Sequence, residues 1–223
     1  LLWAFAVAAD DAPRIGYVRP LVGTDGFGNV YPGAQVPFGG IQISPDTDDD
    51  YYDAASGYKY AHKTLMGFSL NHLSGTGITD LGDFLFMPGV GEIKLEPGTH
   101  DDPDAGYRSR YSHDEEWCSP AYYGVNLTDY GVKAEMTAAQ RSGILRFTYP
   151  EADDAFILVD MRHTLWWKCR WANLRKEDDH TITGYKLVPG WGAERHVYFV
   201  AEFSEPLDDF GIMEGGQRVC SDP

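Results

Sequence analysis

Basic residues are scarce in this chain. Its 18 Lys and Arg stand against 34 Asp and Glu, a net charge of -16 over 223 residues. Phosphate backbones are held by clustered Lys and Arg, so this deficit argues against nucleic acid and against an anionic membrane surface. Long apolar runs are also missing: no segment reaches the roughly 18 apolar residues that a spanning helix needs. Three cysteines, Cys118, Cys169 and Cys220, are too few and too scattered for a disulfide framework or a cysteine zinc site. One pair could still close after export. No helical 3.6-residue period persists over a convincing length. Neutral ligands such as sugars, or cations, stay open.

What remains is a folding sequence rich in strand and turn formers. Hydrophobic residues make up 43%, with 14 Tyr, 11 Phe and 6 Trp, and there are 25 Gly and 13 Pro. That mixture suits many short strands joined by tight turns. The length allows one large domain or two small ones, and no linker divides it. Strands are predicted at Val36–Ser44, in "FLFMP" and "EIKLEP", and near 122–128, 132–138 and 143–149. "AFILVDM" reads as a central strand, and "HTITGYKL" and "HVYFVAEFS" complete an antiparallel sandwich. The N-terminal "LLWAFAVAADDAP" resembles the tail of a secretory signal peptide, which sets residues 1–12 apart from a β-sandwich over 13–223. A short apolar strand is the alternative. Asn126-Leu127-Thr128 is a glycosylation sequon if the source is eukaryotic.

Several polar clusters invite a functional reading. "DTDDDY" from Asp46 has Tyr51 where an EF-hand loop needs glycine and Gly57 where it needs a bidentate Glu, which excludes that motif. A solvated acidic loop, or a looser calcium or sugar contact, is left. "GTDGFGNVYPGA", residues 23–34, fits neither the dinucleotide fingerprint nor the P-loop; its glycines let backbone approach a ligand or another domain, or simply make turns. His72 lies near Asp80 and Asp83 in sequence, and His113 beside Asp114, but neighbours in sequence do not make a dyad. No Ser or Cys has the setting of a nucleophile. Aromatic faces beside carboxylates and amides are how proteins hold sugars.

Five stretches occur in order: "VGTDGFGNVYPGAQVPFGGIQISPDT", "SGYKY", "GFSLNHLSGTGITDLGDFLFMP", "SPAYYGVNLTDYGVKAEMTAAQRSGILRFTYP" and "GYKLVPGW…HVYFVAEFSEP". Together, over about residues 18–212, they closely resemble the N-terminal domain of the family-92 glycoside hydrolases, calcium-dependent exo-acting α-mannosidases. The resemblance implies an all-β, galactose-mutarotase-like sandwich of two antiparallel sheets, followed in the family by an (α/α)6 barrel that carries both catalytic carboxylates and most of the Ca2+ shell. No catalytic acid or base is therefore expected within this chain, which stops at Pro223 after the sandwich motifs. It further implies mannose-containing glycans as ligands, while the signal-peptide-like N-terminus predicts export, either secreted or periplasmic. The residues it places at the sugar are Asp25, Gly33, Tyr52, Asp53, His72 and Thr76, with the "HLSGTG" loop buttressing or lining the pocket. The sequence differs from the family pattern at Tyr52, commonly Trp, at Ala55, commonly Cys, and at Leu70, commonly His. A stand-alone carbohydrate-binding sandwich and a pure scaffold for the barrel are the other readings.

Overall fold

The computed structural model describes residues 14–49 and 52–219. The expected signal-peptide remnant, Asp50, Tyr51 and Cys220 lie outside them. In chain order the strands are β1 (Ala34–Gln35), β2 (Gln42–Asp46), β3 (Thr64–Leu65), β4 (Gly67–Ser69), β5 (Leu85–Val90) and β6 (Ser109–Arg110). There follow β7 (Glu116–Ser119), β8 (Tyr122–Leu127), β9 (Val132–Ala138), β10 (Gly143–Thr148) and β11 (Ala155–Asp160). The last are β12 (Trp171–Lys176), β13 (Thr181–Val188), β14 (Arg195–Glu202), β15 (Ile212–Glu214) and β16 (Gln217–Val219). Helix is confined, among the described residues, to short 3-10 turns. The all-β prediction holds.

A five-stranded sheet, β1-β2-β4-β5-β11, packs on a four-stranded one, β10-β9-β8-β7, and every pairing is antiparallel. The meander read at 122–149 is therefore present, as β8 to β10. Between the two sheets lies one apolar core, built from Ile43, Phe68, Leu85 and Met87 on one side and Tyr123, Val125, Leu127, Ala134 and Met136 on the other. Side chains alternate along a strand, so Phe86 points away from its neighbours Leu85 and Met87. It enters a second cluster with Phe84, Ile182 and Phe199. That cluster joins the sandwich to a third layer, the sheet β12-β13-β14. The two-sheet expectation thus gains a further sheet, which the double-sided burial of β5 requires.

Three strand predictions are corrected. Residues 36–41 do not pair, and β2 instead runs through Pro45 to Asp46. At Pro45 the only ladder partner is Phe68, since β1 reaches just Gln42 and Ile43, so the missing N–H has an open side to face. "EIKLEP" is not a strand: it crosses the surface between Gly91 and Gly98, held by Arg162 bonding Glu96 and the Leu95 carbonyl. "AFILVDM" gives β11, but at the edge of its sheet, and it reads as continuously apolar because it lends Leu158 to one core and Ile157 and Val159 to the other. β12 comes from "WWKCRWANLRKEDD", residues 166–179, a stretch with three Trp among alternating charges. Cys118 and Cys169 are free thiols.

Candidate functional site

Three loops singled out by composition meet at one atom. The carbonyl of Asn29, in the 23–34 loop, accepts the Ser56 hydroxyl from the acidic loop and the Gly75 N–H at 2.6 Å from the "HLSGTG" loop. The Tyr60 N–H reaches the Thr24 carbonyl at 2.9 Å and ties the first two loops again. Glycines and small residues allow this gathering, because backbone must approach backbone. Within these loops, Phe27 is 97% and Tyr52 69% exposed. Asp25 is exposed, its carboxylate turned onto the Gly26 N–H, and it lines an open depression of about 380 Å³ with Arg19, Leu21, Val22, Gly23 and Tyr60. Thr76 is half-buried, with its hydroxyl donating to the Ile78 carbonyl. Asp53 is paired with Lys59 and His62.

The loop from Leu70 to Asp83 is closed at its neck. Leu70 N–H donates to the Asp83 carbonyl and Gly82 N–H to the Asn71 carbonyl; the Asn71 amide also donates to the Asp83 carboxylate, and its Oδ1 accepts the Asp83 backbone N–H. Non-glycine residues at positive φ, Leu81 at 72° and Phe84 at 60°, hold the exit in a strained turn. The neck is then fixed to the third sheet. Asp83 pairs with Lys186 at 3.0 Å and with Arg195, and Asp80 accepts from Arg195 and from the Trp191 N–H. Burial alone would raise the Asp83 carboxyl, yet Lys186 and Arg195 together hold it below its ordinary value. Lys186 moves down as well, because burial outweighs the single carboxylate it shares with Arg195. Asp83 has two cations, Lys186 only part of one anion.

His72 is buried and occupied. Its Nδ1 donates to the Gln42 carbonyl at 2.7 Å, and its Nε2 lies 2.7 Å from Asp46 and 3.0 Å from Ser69. His163 holds the other Asp46 oxygen at 2.8 Å. Burial opposes the charge on Asp46, but the two imidazoles outweigh it and keep the carboxyl well below the usual range. So His72 is partnered by Asp46 and not by Asp80 or Asp83. His113 is likewise partnered by Glu116 at 2.6 Å and stacked on Tyr60, not engaged by Asp114. Gly33 meets backbone as expected, but that of its own chain: a Cβ there would lie 2.1 Å from the Ile43 carbonyl oxygen.

The structure adds residues that sequence reading passed over. Asp46, His163 and Lys186 form the buried polar core beneath the loops, with Arg195 half-buried at its edge. Only Lys186 left a signal, a cation on the inward face of β13 with Ile182, Gly184 and Val188. A separate group, Asp48, His62 and His100, offers ligand atoms that all lie within 4.8 Å of one another. Burial, then nearby His100, pushes the His62 imidazole below its ordinary value. Two imidazoles and one carboxylate do not fit calcium, which takes six to eight oxygens. No other metal-binding group of three His, Cys, Asp or Glu occurs among the described residues.

A family model for the glycosyl hydrolase family 92 N-terminal domain matches residues 17–222. The chain belongs to this family. The α-mannosidase BT3965 of Bacteroides thetaiotaomicron, solved in complex with mannoimidazole, is 70% identical over 94% of this chain, with a TM-score of 0.91. The family-92 glycosyl hydrolase ccman5 is 28% identical over 84% of the chain, with a TM-score of 0.70. A secreted glycosidase of Arthroderma benhamiae is 29% identical over 60% of the chain. The chain spans 28%, 26% and 17% of these family relatives' own lengths. Among the described residues, no helix is long and apolar enough to cross a membrane.

Proposed function

We propose that this chain is the sugar-facing N-terminal domain of an exported, inverting exo-α-mannosidase that acts on terminal α-mannosides of glycans. The carrying observation is the convergence of three glycine-rich and polar loops on the Asn29 carbonyl, one of which carries the exposed Tyr52. The 70% identity to an α-mannosidase across nearly the whole chain supports the substrate class. In an inverting reaction one carboxylic acid protonates the leaving oxygen and a second carboxylate activates water from the opposite face. Both belong to the (α/α)6 barrel that completes the enzyme, and so does the calcium; among the described residues the one group of three metal-ligating side chains, Asp48, His62 and His100, does not suit it. This domain's own contribution is shape: Tyr52 supplies an aromatic face, Asp25 and Thr76 supply polar groups, and the neck at Asp83 keeps the loops in register.

The purified chain should not release product from aryl α-mannosides, whereas the complete enzyme should, and should lose activity to a calcium chelator. Calcium-dependent turnover by the chain alone would overturn the division of labour. One observation favours a scaffold reading instead: His72 and Gly33 both serve internal packing. Retention on immobilised mannan separates the two, since a scaffold would pass through unretarded.

A further inference from the structure

Asp48, His62 and His100 come from three separate segments: the acidic loop after β2, the approach to β3, and the turn before β6. Their ligand atoms nevertheless lie within 4.8 Å of one another. His100 Nε2 is 2.8 Å from Asp48 Oδ2, and the two imidazole rings are 4.1 Å apart between centroids. Nothing in the mannosidase reading uses them. Packing two histidines together, their rings tilted by 46°, beside a carboxylate is a poor way to fill a surface, but it is how proteins assemble a metal centre.

The surroundings have the second layer that a metal centre needs. A ligating imidazole is held through its other nitrogen, which fixes the ring and its tautomer. His100 Nδ1 is 3.0 Å from the Thr64 hydroxyl, which is itself bonded by Arg108 at 2.9 Å; Arg108 is anchored to the Pro97 carbonyl. His62 Nδ1 is 3.0 Å from the Thr47 hydroxyl, which also accepts the Lys59 N–H. His62 Nε2 faces Asp53 at 3.1 Å. The three side chains are 14% to 31% exposed, so an ion can enter and water can complete its shell.

We propose that Asp48, His62 and His100 form a binding site for a divalent transition-metal ion of the zinc class, clipping the acidic loop to the 98–102 turn. Two nitrogens and one carboxylate oxygen match zinc and its neighbours in the first row, not calcium or magnesium. Zinc bonds of about 2.0–2.1 Å put tetrahedral ligand atoms roughly 3.3 Å apart. Reaching that spacing requires His100 and Asp48 to part slightly and the widest pair to close, within the range of side-chain rotation. The ion would steady the segment that carries Tyr52 and Asp53. This inference does not depend on the mannosidase reading.

The test is titration of tag-free, chelator-treated protein with zinc chloride by calorimetry, and with cobalt chloride by visible absorption. One equivalent of zinc should bind, cobalt should give the intense spectrum of a four-coordinate site, and calcium chloride should not compete. His62→Gln and His100→Gln should each weaken zinc by about 100-fold, taking loss of a ligand to cost at least as much as loss of its outer-shell partner. His180→Gln should leave it unchanged. Circular dichroism verifies that each variant is folded. Absent zinc binding, equal competition by calcium, or affinity that survives in folded His62→Gln/His100→Gln would overturn the proposal.

Discussion

Replacing His163 by glutamine probes the buried core beneath the loops. Asp46 carries His72 on one oxygen at 2.7 Å and His163 on the other at 2.8 Å. Burial by itself would lower His163, and Lys186 acts in the same sense. The hydrogen bond and charge of Asp46, with Asp160 behind it, outweigh both and raise it above 6.5. A raised histidine contributes stability that is complete below its unfolded value and lost as pH rises through its folded one. The depressed Asp46 contributes stability present above its unfolded value near 3.8 and lost as pH falls through its folded one. The pair is therefore strongest between about pH 4 and 6.5. His163→Gln removes the charge while His72 still pairs with Asp46. The loss at pH 5.5 should be about 1.5–3 kcal/mol, the range for a hydrogen bond to a charged group. Urea denaturation of both proteins from pH 5 to 9 measures it. The deficit should shrink as pH rises above 6.5 and be gone beyond the raised folded value at which the wild-type imidazole gives up its proton. A deficit constant across the range would refute the charged pair.

Lys186→Ala should cost roughly 3–5 kcal/mol because it strands part of a buried ion pair, and Lys186→Met should cost less; thermal denaturation compares them. Gly57→Ala should lower the melting temperature sharply, since its φ is 84° and a Cβ would stand 2.0 Å from Asp46 Oδ1. Unchanged melting would show that Asp46 is not fixed where the structure has it. Gly33→Val should unfold the protein, not merely impair a pocket, because the backbone it strikes is Ile43 and Ser44. The outer face of β12-β13-β14 exposes Trp171, Tyr198 and Val200, with Tyr185 stacked on Tyr198 and tilted against Trp171. Trp171→Ser with Tyr198→Ser should reduce binding of a hydrophobic dye, and no change would place the dye-binding surface elsewhere.

The strands of the sandwich were legible where turn residues bracket alternating runs, as at Tyr122–Leu127, Val132–Ala138 and Gly143–Thr148. They were obscured where tertiary contacts overrode local pattern: β12 hides in a charged Trp-rich stretch, and its inward face is apparent only once β13 lies beside it. The loops that converge at Asn29 were also legible, from glycine and polar content and from resemblance to the family. Their partners were not. Asp46 and His163 are 117 positions apart and Asp83 and Arg195 are 112, so nothing along the chain announces either pair. The same holds for His100, which meets Asp48 and His62 only through the fold. His72 looked available in sequence because solvent exposure has no local signature beside glycines and hydroxyls.

Whether the loops gathered at Asn29 face a sugar is decided by kcat/KM on a terminal α-mannoside, measured in the complete enzyme for wild type, Tyr52→Ala and Tyr198→Ala. A stacking aromatic contributes about 1 kcal/mol, or roughly fivefold in rate. Tyr52→Ala should therefore lose at least about fivefold in kcat/KM with no change in melting temperature, while Tyr198→Ala keeps wild-type activity. Unchanged kcat/KM in a folded Tyr52→Ala enzyme would contradict a sugar-facing role for this loop.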